Sequence, residues 1–209
     1  ILTHTSRMQP AVADVMLEDD RLIAVSWNGD VVWAWVASDH IGELGFAPDA
    51  RAAIKAGGAF NKARGSFDWL HINSATYVGP NRWFDQGDRR FAPNNVIVSS
   101  REASLLAIVG RDGSIVWRLG PDFSASKELR AIRQIIGQHH AHLIPKGLPG
   151  AGNLLVFDNG LGRPGARYSS LDLDGLNVVL APFDGEFMLV LAGLPSALTC
   201  EYRLVKPGA

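Results

Sequence analysis

Cysteine is almost missing from this sequence: Cys200 is the single one in 209 residues, so no internal disulfide can form and cysteine usage leaves the redox compartment open. An excess of either charge is missing too. Twenty Lys and Arg against 21 Asp and Glu give a formal net charge of −1, which excludes the basic footprint of a nucleic-acid partner or of an anionic membrane surface. No apolar run approaches the ~18 residues that a membrane-spanning helix requires, so no span is expected. A charged-then-apolar leader is also lacking, and the opening Ile1-Leu2-Thr3-His4 reads as the end of a β-strand. A chain that begins inside a strand is expected to be a segment of a longer protein, with any export signal upstream. What is plentiful is turn chemistry: 22 Gly, 11 Pro and six Trp favour many short strands and tight turns over long helices.

An internal repeat decides the architecture. Leu22-Ile23-Ala24-Val25-Ser26-Trp27-Asn28-Gly29-Asp30-Val31-Val32-Trp33 aligns without gaps on Leu106-Ala107-Ile108-Val109-Gly110-Arg111-Asp112-Gly113-Ser114-Ile115-Val116-Trp117. Each copy sets an Asn-Gly or Asp-Gly turn between two β-branched runs, which is the strongest local signal for a hairpin. A weaker third copy covers residues 168–181, turning at Asp174-Gly175. Further strand pairs precede the second copy (residues 69–78 and 95–100) and the third (residues 140–145 and 153–158). Four antiparallel strands per unit is the pattern of a β-propeller blade. The expected fold is therefore all-β, a partial propeller domain over residues 1–209 with roughly two to three four-stranded blades. The first unit is expected to lack its opening strand and most of its second. Insertions separate the copies at residues 45–67, with a helix over 48–57, at residues 80–94, and at residues 123–138, where Ser126 caps a helix running to Ile136. The same strands could also build a β-sandwich. Residues 187–198 are apolar with little alternation and are left unassigned.

Four of the six histidines fall in two strand-like segments. One is Asp68-Trp69-Leu70-His71-Ile72-Asn73-Ser74; the other is Gln138-His139-His140-Ala141-His142. Strand alternation puts His71 and Asn73 on one face with Leu70 and Ile72 on the other, and in an innermost blade strand the polar face lines a central funnel. The plainer reading of His71 is a core histidine bonded to a backbone carbonyl. His140 and His142 share a face while His139 points away, and two imidazoles with no carboxylate or thiolate alongside make a poor zinc site. No metal is expected. Arg101 ends the strand of residues 96–100 and is either a solvated strand end paired with Glu102 or a fork of donors for an oxyanion. Two histidines and an arginine without a carboxylate pair point to transfer of an anionic group and away from sugar hydrolysis. Asp158-Asn159-Gly160 is a polar cluster that a simple turn also explains.

Asp68-Trp69-Leu70-His71-Ile72-Asn73-Ser74, Ser99-Ser100-Arg101, Gln138-His139 and Asn153-Leu154-Leu155-Val156-Phe157-Asp158-Asn159-Gly160, in that order, resemble the bacterial aryl-sulfate sulfotransferases. The resemblance runs from about Ile1 to Gly160 and implies a six-bladed propeller. It also implies an enzyme that moves a sulfuryl group from an aryl sulfate donor to a phenol acceptor, with no cofactor and no nucleotide donor. By the same resemblance His139 is the nucleophile that carries the group as a sulfohistidine, His71 contacts the sulfate and the phenolic oxygen, and Arg101 clamps the sulfate oxygens. Asn73, His140 and Asn159 are expected to contact substrate. The family is periplasmic or secreted. A further family histidine from an earlier blade has no match; His4, which ends its strand as Arg101 does, is a poor substitute. An incomplete propeller carries the expectation of inactivity in isolation. Two other readings are a propeller that only binds an anionic ligand or a partner protein, and a sulfatase-like hydrolase using water as acceptor.

Overall fold

The two repeat copies fold as hairpins that match bond for bond. Strands β2 (Met16–Val25) and β3 (Val31–Val36) turn at Asn28-Gly29, and β7 (Leu105–Val109) and β8 (Ile115–Leu119) turn at Asp112-Gly113. Both turn glycines sit at φ +91°, a conformation that a Cβ disfavours. The Ser26 amide donates to Asp30 O at 2.8 Å, and the aligned Gly110 amide donates to Ser114 O at 2.8 Å. Each hairpin slips register at the same place, between Ala24 and Val25 and between Ile108 and Val109. In this computed structural model the described residues are 1–58, 63, 65–132, 134–148, 151–157, 177–183 and 186–192.

Three four-stranded sheets are built around these hairpins. The first has β1 (Leu2–Met8) antiparallel to β2, then β3, with the short β4 (Phe67–Asp68) running parallel beside Leu17 and Glu18 of β2. Strand β1 pairs with β2 from Leu2 to Met8, so the strand continues well past His4 and the second strand of this unit is present. That corrects the expectation that most of it is missing. The second sheet is an antiparallel meander of β5 (Ile72–Tyr77), β6 (Val96–Ser100), β7 and β8. The third orders β9 (His139–Leu143), β10 (Leu154–Phe157), β12 (Glu186–Ala192) and β11 (Asn177–Phe183). Here β12 pairs with β10 in parallel, which a simple meander does not do. The apolar run left unassigned in the sequence supplies β12, and the turn expected at Asp174-Gly175 lies outside the described residues.

The second sheet is covered on both faces. Leu106 and Ile108 of β7 pack with Ile97, Ala141, Leu143, Leu154 and Val156 towards the third sheet. Leu105, Ala107 and Val109 pack with Leu17, Leu22, Trp35 and Leu70 towards the first. Strand β7 is therefore buried along its whole length, whereas the aligned part of β2 ends in an exposed Val25. Burying one such aliphatic side chain contributes about 1.5–3 kcal/mol, so the two interfaces dominate stability. Indoles bridge them: Trp33 Nε1 donates to Arg111 O and Trp35 Nε1 to Gly113 O, both at 3.0 Å, and Trp83 Nε1 donates to Gly152 O at 2.6 Å.

Helices lie in the insertions. α1 (Pro48–Lys55) starts on its proline, where a missing amide costs nothing. α2 (Arg82–Asp85) is capped by Asn81, whose side chain accepts from the Phe84 amide at 3.0 Å. α3 (Lys127–Ile132) is capped as expected by Ser126 Oγ, which accepts from the Leu129 amide at 3.1 Å, but it ends four residues before Ile136. Among the described residues no helix is long and apolar enough to cross a membrane.

Candidate active site

His71 lies in the gap between β4 and β5 with φ +49°, a left-handed conformation uncommon outside glycine. The strand expected through this segment is broken, and β5 starts with an extra residue: Ile72 faces Ser100 and Ser74 faces Ser99, leaving Asn73 bulged between them. The burial alternation nevertheless holds, with Leu70 and Ile72 in the core and His71 and Asn73 on the other side. Three backbone groups around the kink are held by hydrogen bonds. Leu70 O accepts from Ser100 Oγ at 2.6 Å and from the Glu102 amide at 3.1 Å, and His71 O accepts from the Arg101 amide at 3.0 Å. The Ile72 amide, turned out of the ladder, donates to Asp20 Oδ2 at 2.9 Å. The His71 ring is held separately, with Nδ1 2.5 Å from Asp68 Oδ2. An ionised carboxylate can only accept, so this bond puts a proton on Nδ1 and directs Nε2 to other work.

Asp20 is buried on β2 beneath this segment. Burial pushes its carboxyl up to about 7, with the Asp68 charge adding to the rise, while the Ile72 amide and the charge of His71 oppose it. Asp20 faces His4 across the β1–β2 ladder. The exposed His4 ring lies 3.7 Å from the Glu18 carboxylate.

The second histidine segment is tied to the first through Gln138. Its side chain is fully buried, and Nε2 donates to Ser100 O at 2.6 Å and to Leu105 O at 3.3 Å. Its backbone carbonyl accepts from Asn73 Nδ2 at 2.7 Å, so the bulge at Asn73 aims an amide at the residue before His139. His139 is partly buried, and its Nδ1 lies 2.9 Å from Gly137 O. A carbonyl only accepts, so the neutral ring donates from Nδ1 and carries its lone pair on Nε2. Strand β9 is also bulged, since His139 faces Phe157 and His142 faces Leu155. His140 sits at φ +52°, exposed, with its ring centroid 4.9 Å from that of His142. Burial, with the neighbouring His140, holds His142 below the ordinary imidazole range.

Arg101 follows β6 directly, and its guanidinium contacts the Glu102 carboxylate at a partly exposed site. Its backbone bond to His71 makes these two residues neighbours, as the Asn73 bond does for Asn73 and Gln138. Asn159 lies outside the described residues. Among the described residues no group of three or more His, Cys, Asp or Glu is placed to hold a metal ion. Two functional candidates escaped the sequence reading. Asp68 was visible three residues before His71. Asp20 had only one weak signal, a pair of adjacent carboxylates, Asp19-Asp20, inside a strand.

Searches of curated proteins and of solved structures returned no significant match. A family profile, described as Arylsulfotransferase (ASST), matches residues 1–172, a little beyond the reach of the motifs and through both histidine segments. The chain belongs to the arylsulfotransferase family, and aryl sulfotransfer is the general chemistry that this membership suggests.

Proposed function

We propose that this protein transfers a sulfuryl group from an aryl sulfate ester to a phenol by a ping-pong route through a sulfohistidine on His139, within a β-propeller. The observation that carries the reading is the anchoring of both imidazoles through Nδ1, His139 on a carbonyl and His71 on a carboxylate. In the first half-reaction His139 Nε2 attacks sulfur, the bond from sulfur to the aryl oxygen breaks, and protonated His71 gives its Nε2 proton to the departing phenolate. In the second, the acceptor phenol loses its proton to His71 as its oxygen attacks sulfur, and the bond from sulfur to His139 breaks. Splitting one difficult displacement into two is what covalent catalysis achieves. The bond from Nδ1 to Asp68 fixes the His71 ring so that Nε2 gives the proton in the first half and takes it back in the second. Arg101 offers a five-donor fork for the sulfuryl oxygens, so the contact with Glu102 leaves donors to spare. Face-to-face stacking of the sheets and the meander β5–β8 support the propeller; the parallel β10–β12 pair does not contribute.

The test gives the full-length protein 4-nitrophenyl sulfate with and without a phenol acceptor and follows nitrophenolate. Release that depends on acceptor is expected. Acceptor-independent release would move the assignment to a hydrolase, and no release would favour a binding protein. His139→Ala is expected to lower turnover on the order of 10³-fold or more with the fold retained. Unchanged turnover in that variant would remove His139 as the nucleophile.

A further inference from the structure

We infer that Asp20 is a positioning residue for His71, reaching from the first sheet to clamp the backbone kink that presents the imidazole. A histidine in the left-handed region persists only where its surroundings over-determine it. Three of the bonds that do so, from Ser100, Arg101 and Glu102, come from the second sheet, to which the kink itself belongs. The fourth, on the Ile72 amide, comes from Asp20 on β2, 52 residues away in sequence and in the neighbouring sheet.

Stability alone gives no reason for a carboxylate here. Asp20 is 7% exposed, and burial raises its carboxyl well above the ordinary carboxylate range, so ionising it opposes folding. A group that costs stability yet caps one specific amide is what a functional constraint leaves behind. The repeat supplies an independent observation. Extending the gapless alignment back by two residues sets Asp20 against Ser104. Ser104 is likewise buried, and its hydroxyl accepts from Gln134 Nε2 at 3.1 Å, four residues before Gln138 and five before His139. The equivalent position is thus used twice, each time reaching towards the segment that leads into the next histidine strand.

The kinetic part of this inference rests on the proposed sulfuryl transfer; the structural part does not. Asp20→Ala is expected to lower kcat with 4-nitrophenyl sulfate about tenfold, the effect of a displaced reacting group and no more than removal of His71 itself would cost, while KM for that ester stays within about twofold. Asp20→Asn, which keeps an acceptor for the Ile72 amide, is expected to restore most of kcat. Amide exchange read residue by residue should show Ile72 losing protection in Asp20→Ala and keeping it in Asp20→Asn. Wild-type kcat in a folded Asp20→Ala protein, a loss that Asp20→Asn fails to restore, or an Ile72 amide still protected in Asp20→Ala would each overturn the assignment. Should the wild type lack transfer activity, the reading under Proposed function fails while the amide-exchange comparison still decides this one.

Discussion

The two histidine segments use the same devices and differ in one partner. Each carries a non-glycine residue in the left-handed region, His71 in one and His140 in the other, and each includes part of a bulged strand at the end of its sheet. Each holds a histidine through Nδ1. The difference is that Asp68 grips His71 with a carboxylate, whereas Gly137 grips His139 with a neutral carbonyl. A carboxylate favours the imidazolium and suits a group that gains and loses protons. A carbonyl brings no countercharge; it fixes the tautomer with the proton on Nδ1 and the lone pair on Nε2, which suits a nucleophile. On the proposed reading, one partner atom separates an acid-base histidine from a covalent one.

That contrast can be broken by substitution, and the effects on turnover should fall in order. The largest is the His139→Ala loss described above, which should be equally severe for every donor ester. His71→Ala should cost about 10²-fold with phenyl sulfate and visibly less with 4-nitrophenyl sulfate, because a good leaving group needs less help from a general acid. Equal losses for the two donors, measured as kcat over KM, would remove His71 from the acid-base role. Asp68→Asn should cost about tenfold, since exchanging a carboxylate acceptor for an amide gives up about 1.4 kcal/mol of charge-assisted bonding. An Asp68→Asn protein as active as wild type would place the difference between the segments elsewhere.

The last effect is read in stability and not in turnover. The Asp20 carboxyl titrates at about 7 in the folded chain against 3.8 for a free aspartate, so its contribution is fully present below about pH 4 and is lost as pH rises through 7. Each tenfold change in proton affinity is worth about 1.4 kcal/mol, which puts an upper bound of about 4 kcal/mol on the loss. Denaturant unfolding of the wild type at pH 4 and pH 8 should show this decline, and Asp20→Asn should flatten it. Parallel pH profiles for the two proteins would contradict it.

What was legible in the sequence was what local chemistry determines. Asn28-Gly29 and Asp112-Gly113 specify their turns with almost no help from elsewhere, and the hairpins formed around them with matching slips of register. Ser126 marked the start of α3 correctly, whereas its end at Ile132 carried no comparable signal. The motifs around His71 and His139 picked out the two segments that the Asn73–Gln138 bond ties together. Period-two reasoning could not show that the chain leaves the ladder at His71, because the bonds that hold the kink come from Ser100, Arg101, Glu102 and Asp20, all distant in sequence. In the same way, nothing local to Asn73 announces that its amide reaches Gln138, 65 residues later.

The indoles that join the sheets have a consequence for how the stack comes apart. Among the described residues, two of them, Trp33 and Trp35, end in the turn between β7 and β8, and one, Trp83, ends in the loop before β10. Each gives up its carbonyl to water when its own joint opens, and an indole moved from a buried bond to solvent emits at longer wavelength. The chain thus carries separate optical gauges on its two joints. Variants that keep Trp35 or Trp83 as the only emitter would report which joint yields first and whether the first sheet, with Asp20 on it, lets go of His71 before the rest unfolds.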